Sequence, residues 1–177
     1  MLTAGNVYNY YVNIEETKLI TLSDKEQLKK YYASKPKILI RRIINRQDRL
    51  SVAYFDKKLV FKKDINPFIP LNNSISAKFL QGIMASKLIS YLYVNTSLLA
   101  TKDDFRQTTL AELREIPIPI VKDKTSNKII DLVDKILELK LNNSESNTSK
   151  LENEIDQIMY KLYGLTEEEI KIVEGNN

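Results

Sequence analysis

Leu151, Ile155, Ile158, Leu162 and Leu165 follow one another at intervals of 4-3-4-3, the spacing that holds an apolar seam on one side of a helix. A second amphipathic run, Asn127–Leu141, precedes it, with Ile129, Leu132, Ile136 and Leu139 on one stripe. Only the polar stretch Asn142–Ser149 separates the two. Two helices of about 15 residues, each about 22 Å long and joined so briefly, are expected to pack antiparallel as a helical hairpin. Thr166 to Glu169 then forms a capping box with acids in its first turn, and Gly175 suits the position just past a helix end.

The rest of the chain changes period. Ser23 to Glu26 is a capping box that predicts a short helix through about Ala33, with Leu28 and Tyr31 or Tyr32 turned inward. Pro36 ends it, and Lys37–Ile44 reads as a strand bounded by the polar cluster Asn45–Arg49. Leu50–Phe55 and Leu59–Ile65 are expected as two further strands, with Asp56, Lys57 and Lys58 as the hairpin turn between them. Pro67 and Pro70 interrupt the pattern, and Asn72–Ser74 reads as loop. From Ser76 to about Val94 one amphipathic helix is predicted on Leu80, Ile83/Met84, Lys87/Leu88 and Tyr91, with the Lys87 ammonium reaching outward. Thr109–Leu113 suggests a turn of helix, and Ile116–Val121, with two prolines, an extended segment. The fold class is therefore α/β in the broad sense (α+β). A globular part with a mixed β-sheet spans 1–121, and a C-terminal antiparallel helical hairpin spans 122–177.

Composition limits the chemistry. The 177 residues include no Cys and no His, so a disulfide, a Cys/His zinc site, a Cys nucleophile and a Ser-His-Asp triad are all excluded within the chain. Four scattered glycines, at 5, 82, 164 and 175, make neither a phosphate loop nor a dinucleotide fingerprint. Asn66-Pro67-Phe68 is one proline short of an amino-methyltransferase motif and reads as a turn. Glu-x-Lys occurs at Glu16/Lys18, Glu138/Lys140 and Glu169/Lys171, but two copies fall in predicted helices, and no Pro-Asp partner precedes any of them. The pair Asp103-Asp104 has no evident partner either. No catalytic and no metal-binding residue is assigned. Without a run of about 18 apolar residues or a secretory signal, the expectation is a cytoplasmic protein with no membrane partner.

The net charge of +4 is unevenly laid out. Residues 18–63 carry 14 Lys/Arg against 4 Asp/Glu, whereas residues 142–177 carry 3 against 8. A block at +10 beside a balanced body is what a polyanion-binding face would show; a solvated lysine-rich surface is the plainer alternative.

Several segments together resemble a known family. They are Leu151–Asp156 (LENEID), Tyr160–Thr166 (YKLYGLT), Glu169–Glu174, Lys35–Ile38, the helix segment Gln81–Tyr93 with Ala85-Ser86-Lys87-Leu88, and Leu113–Pro119 (LREIPIP). In order and spacing, over about residues 20–175, they resemble TaqI-like C-terminal specificity domains of type IIG restriction–modification enzymes, which are similar to type I specificity subunits. The resemblance implies a bacterial target-recognition module, excised or split from a larger enzyme, that reads double-stranded DNA in its globular part. The hairpin would serve as spacer and docking element. Methyltransferase and nuclease domains would be partners, for an adenine-specific methyltransferase or endonuclease. S-adenosylmethionine and Mg²⁺ are implied for that assembly alone, with no cofactor in this chain.

On that reading the candidate DNA-contacting residues are Lys37, Arg41, Arg42, Arg46, Gln47 and Arg49 on the first strand and its loop, with Lys57, Lys58, Lys62 and Lys63. Lys and Arg supply phosphate contacts, and Arg to guanine or Gln to adenine supplies specificity. Arg41 and Arg42 point to opposite faces of a strand, so at most one of the two is expected to face DNA. Tyr8, Tyr10, Tyr11, Tyr31 and Tyr32 are read as partly buried core, with base stacking as the alternative. Hairpin packing is assigned to Ile129, Leu132, Ile136, Leu151, Ile155, Ile158 and Leu162. The rival of a different class is a protein-interaction module that assembles through the heptad hairpin.

Overall fold

The computed structural model describes every residue except 16, 18–20, 22–31, 34, 71–74, 102–105, 122 and 176–177. The helix expected from Ser23, Tyr31 and the loop Asn72–Ser74 lie outside the described residues.

Strands β1 (Val7–Tyr8) and β2 (Tyr11–Val12) form a tight hairpin. Its turn places Tyr10 at φ +60°, a left-handed conformation that is rare for a bulky residue. The conformation is held from outside: Tyr10 is buried and its N–H donates to the Val52 carbonyl at 2.8 Å. Strands β3 (Lys37–Arg41), β4 (Val52–Phe55) and β5 (Ile65–Phe68) make a three-stranded sheet in the order β4-β3-β5, antiparallel throughout. A parallel element is added by the bridge between Leu2 and Phe61. β3 is central and covered on both faces. Ile38 and Ile40 face the helices, while Leu39 joins Leu2, Val7, Ala53, Phe55, Phe61 and Ile65 in a smaller cluster behind the sheet. A strand buried on both sides reads as a continuous apolar run rather than an alternating one.

Two strand expectations are corrected. Leu59–Ile65 is not one strand: Phe61 makes only an isolated parallel bridge with Leu2, which accepts the Lys62 N–H at 3.0 Å and donates its own N–H to the Val60 carbonyl at 2.7 Å, and strand structure begins at Ile65. Nor do Asp56–Lys58 join neighbouring strands, because β3 lies between β4 and β5. The third strand instead contains Pro67, where a break was expected. β5 is an edge strand, and Arg42 N–H donates to the Asp64 carbonyl. Bonding alternates along the ladder, so Pro67, opposite Leu39, stands where the missing N–H would point away from β3.

The single helix expected from Ser76 is two helices, α1 (Ala77–Met84) and α2 (Lys87–Thr96). Ser76 caps the first, accepting from the Phe79 N–H at 3.0 Å. Ser86 interrupts the run because its hydroxyl closes one helix and opens the next, donating to Ile83 O at 2.7 Å and accepting from Ile89 N–H at 3.3 Å. After α3 (Leu110–Arg114), helices α4 (Asp123–Asn142) and α5 (Ser149–Tyr163) form the expected hairpin, and α6 (Glu167–Glu174) starts on the expected Thr166–Glu169 capping box. Gly164 and Gly175 end α5 and α6 in left-handed conformations.

In the hairpin Ile129, Leu132, Ile136 and Ile155 are buried, and Leu151, Ile158 and Leu162 pack half-buried against the same cluster. Leu139 is 40% exposed, contrary to expectation, while Val133, not expected on the stripe, is buried beside Ile129. A straight helix drifts off a strict heptad repeat, which carries Leu139 to the flank. The cluster runs from Tyr10, Ile38 and Val52 through Phe79, Ile83 and Ile89 to Ile136, Ile155 and Met159, so sheet and hairpin share one core. The architecture is α+β, and no described helix is long and apolar enough to cross a membrane.

Candidate nucleic-acid interface

The β3–β4 connection is built on Asn45. Its carboxamide oxygen accepts the N–H groups of Gln47 and Arg49, each at 2.9 Å, and its carbonyl accepts that of Asp48 at 3.1 Å. An Asx turn of this kind fixes a loop from within. Asp48 completes it at φ +56° and pairs with Arg106. Arg46 and Gln47 are left exposed at the tip.

A second strip of chain braces the loop's root. Ile43 bridges Gln107 antiparallel, Arg42 Nε donates to Gln107 Oε1 at 3.0 Å, and Thr108 N–H donates to the Arg42 carbonyl at 2.7 Å. Asn66 of β5 locks the other side, donating to the Thr108 hydroxyl at 2.9 Å. The motif around Asn66 is thus structural. Thr109 caps α3 and, with the Tyr93 and Ser97 hydroxyls, donates to Glu112. Burial would raise the Glu112 carboxyl, but these bonds outweigh it and hold the group below its usual range.

The sheet register sorts the ten candidates. Arg41, opposite Ile65 and Ser51, marks one end, and Lys37, opposite Phe55, marks the other. Arg41, Arg42, Arg46, Gln47, Arg49, Lys62 and Lys63 gather at the first end. Lys57 and Lys58, exposed beyond Phe55, belong to the second, about 13 Å away for the four residue steps from Lys37 to Arg41. Exposure sorts them again. Lys37 is turned inward, with its Nζ on the Ala33 carbonyl at 2.9 Å and over the Phe55 ring, and burial lowers its affinity for the proton. Arg49 is half-buried, with Nη2 on the Ala85 carbonyl at 2.7 Å. Arg41 and Arg42 are half-buried; Arg46, Gln47, Lys62 and Lys63 are exposed. Of the tyrosines, Tyr10 is buried, Tyr11 and Tyr32 are half-buried, and Tyr8 is half exposed.

A cleft of about 720 Å³ opens beside the loop, between Gln47, Arg106 and the α2 residues Lys87, Tyr91 and Asn95. Sequence reasoning did not select these last four. The i, i+4, i+8 spacing of Lys87, Tyr91 and Asn95 was the available signal, whereas Arg106 has none, since its partner Asp48 is 58 residues away. Among the described residues no three acidic side chains are grouped to hold a metal ion.

The family model of the TaqI-like C-terminal specificity domain matches residues 1–118, which takes in the sheet, the bracing strip and α1 to α3. The chain belongs to this family of specificity domains. It is also 41% identical over 164 residues to a protein of Methanocaldococcus jannaschii named "Putative type II restriction enzyme and methyltransferase". That alignment takes in 90% of this chain but 14% of the relative, so the specificity domain spans about one seventh of that protein's length. The family match ends just before the hairpin, whose α5 and α6 segments carried much of the sequence resemblance, while the likeness to the Methanocaldococcus jannaschii protein extends over most of the chain.

Proposed function

We propose that this specificity domain reads a short duplex DNA sequence on behalf of a restriction–modification enzyme, with the β3–β4 loop as its reading edge. In this reading it directs an adenine-specific methyltransferase and an endonuclease, held in other domains or chains, to that site. The observation that carries the proposal is the exposed Arg46–Gln47 tip, fixed by Asn45 and flanked by Lys62 and Lys63 at the same end of the sheet. Arg and Gln are the side chains that pair bidentately with guanine and adenine edges in the major groove, and flanking lysines set register on the phosphates. A loop ordered before binding loses little conformational entropy on reading DNA.

The chemistry of methylation and cleavage belongs to the partner domains, which would hold S-adenosylmethionine and Mg²⁺. The hairpin, seated on the same core as the sheet, would dock them. Assembly through the heptad seam is disfavoured because Ile155 is fully buried and Leu151, Ile158 and Leu162 pack inward, so the stripe is already covered. Selection from a random-sequence duplex pool tests the proposal: the chain is expected to enrich a short motif, and an unenriched pool would contradict it.

A further inference from the structure

We infer that Asp156 and Glu174, carboxylates of α5 and α6, are positioning residues for the DNA-reading loop, acting through Arg49 and the junction between α1 and α2. This rests on the DNA-reading proposal above and assigns part of its specificity to residues far from the tip.

The path is short and continuous. Arg49 ends the loop, and its N–H is held by the same Asn45 oxygen that orders Gln47, so displacing Arg49 displaces the tip. Its Nη2 donates to the carbonyl of Ala85 at 2.7 Å, at the break between α1 and α2. Two residues on, the Lys87 N–H donates to Oδ1 of Asp156 at 2.8 Å, and Lys87 Nζ pairs with Glu174. The other Glu174 oxygen receives the Tyr160 hydroxyl at 2.7 Å. The reading loop thus grips the junction from one side, and α5 and α6 grip it from the other. Asp156 is 1% exposed. Burial pushes its carboxyl up to about 6 against the opposing pull of the Lys87 N–H and of Arg49 and Lys87. A buried charge held on those terms adds little to stability and acts by fixing one arrangement.

The alternative is bulk electrostatics, and it predicts the opposite pattern. Neutralising an acid near a DNA-binding face strengthens binding to every duplex alike. Loosening the loop lowers the preference for one sequence over others. The test uses the full chain and two duplexes, one bearing the motif that wild type selects from a random pool and one scrambled. For Asp156→Asn and Glu174→Gln the ratio of the two affinities is expected to fall about tenfold, the worth of one base pairing, with scrambled binding unchanged or tighter. Arg49→Lys, which keeps the charge but not the planar fork, is expected to do the same, and Lys87→Arg to retain the ratio. Should Asp156→Asn fail to fold, Glu174→Gln and Arg49→Lys carry the test. Variants that keep the wild-type ratio overturn the inference. A wild type that selects no motif overturns the DNA-reading proposal and this one with it, a result plainly different from variants sharing the wild-type motif.

Discussion

The carboxylate of Asp156 accepts the backbone N–H of Lys87 at 2.8 Å, joining the second helix of the hairpin to the first residue of α2 directly beside Arg49. Burial raises this carboxyl from 3.8 to about 6 while Arg49 and Lys87 oppose the shift and Glu174 adds to it. A folded pKa above the unfolded one means that the folded state holds the proton more tightly. The group's contribution is therefore fully favourable below about 4 and is lost as pH rises through about 6. Glu174, held low by Lys87 and Tyr160 against the effect of burial, runs the other way: its contribution is present above the usual carboxylate range and lost on acidification. Asp156→Asn should accordingly be more stable than wild type at pH 7.5 by about 1–3 kcal/mol, with the gap closing near pH 4. Denaturant unfolding across that range measures it, and an Asn variant less stable than wild type at pH 7.5 would refute the assignment.

Gly82 is where α1 meets the hairpin. A Cβ built there would stand 2.5 Å from Ile129 Cγ2 and 3.2 Å from Val133 Cγ2, both branched side chains of α4. Gly82→Ala raises helix propensity but overpacks this contact, and the expected net loss is about 1–3 kcal/mol. Paired with Ile129→Leu, which keeps the volume but lacks the Cβ branch that carries Cγ2, part of that loss should return. Equal or greater stability of the single variant, read by thermal melting, would show that the helices have room to separate.

The register separates the lysine pairs. Lys62→Ala/Lys63→Ala, at the loop end of the sheet, should weaken duplex binding for all sequences, whereas Lys57→Ala/Lys58→Ala, at the far end, should leave it within about twofold. Fluorescence anisotropy on one duplex decides between them, and a reversed order would move the interface to the other end.

Asn45→Ala removes the acceptor for two backbone N–H groups and should cost about 1–2 kcal/mol. Hydrogen exchange at Gln47 and Arg49 should accelerate with it. Unchanged exchange at both amides would mean that Asn45 does not order the loop.

What could be read in advance follows from how local each signal is. The hairpin, the Thr166 capping box and the core of β3 depend on neighbours within a few residues, and they appear where expected. β5 escaped because Pro67 argues against a strand unless the strand lies at an edge, and edges are decided by topology. The α1–α2 break escaped because the apolar stripe keeps its phase across Ala85-Ser86, and the interruption lies in the Ser86 hydroxyl. In the site, the exposure of Arg46 and Gln47 follows from a polar loop. The inward turns of Lys37 and Arg49 depend on Phe55 and Ala85, which lie 18 and 36 residues away.

The central claim, that the loop end of the sheet reads duplex DNA, is tested most directly by the salt dependence of binding. Wild-type affinity for a selected duplex should fall linearly in log–log form with added salt. Arg46→Ala/Lys62→Ala/Lys63→Ala should flatten the slope by about 0.9 for each phosphate that is no longer neutralised. Salt-independent binding, or a triple variant with the wild-type slope and affinity, would contradict it.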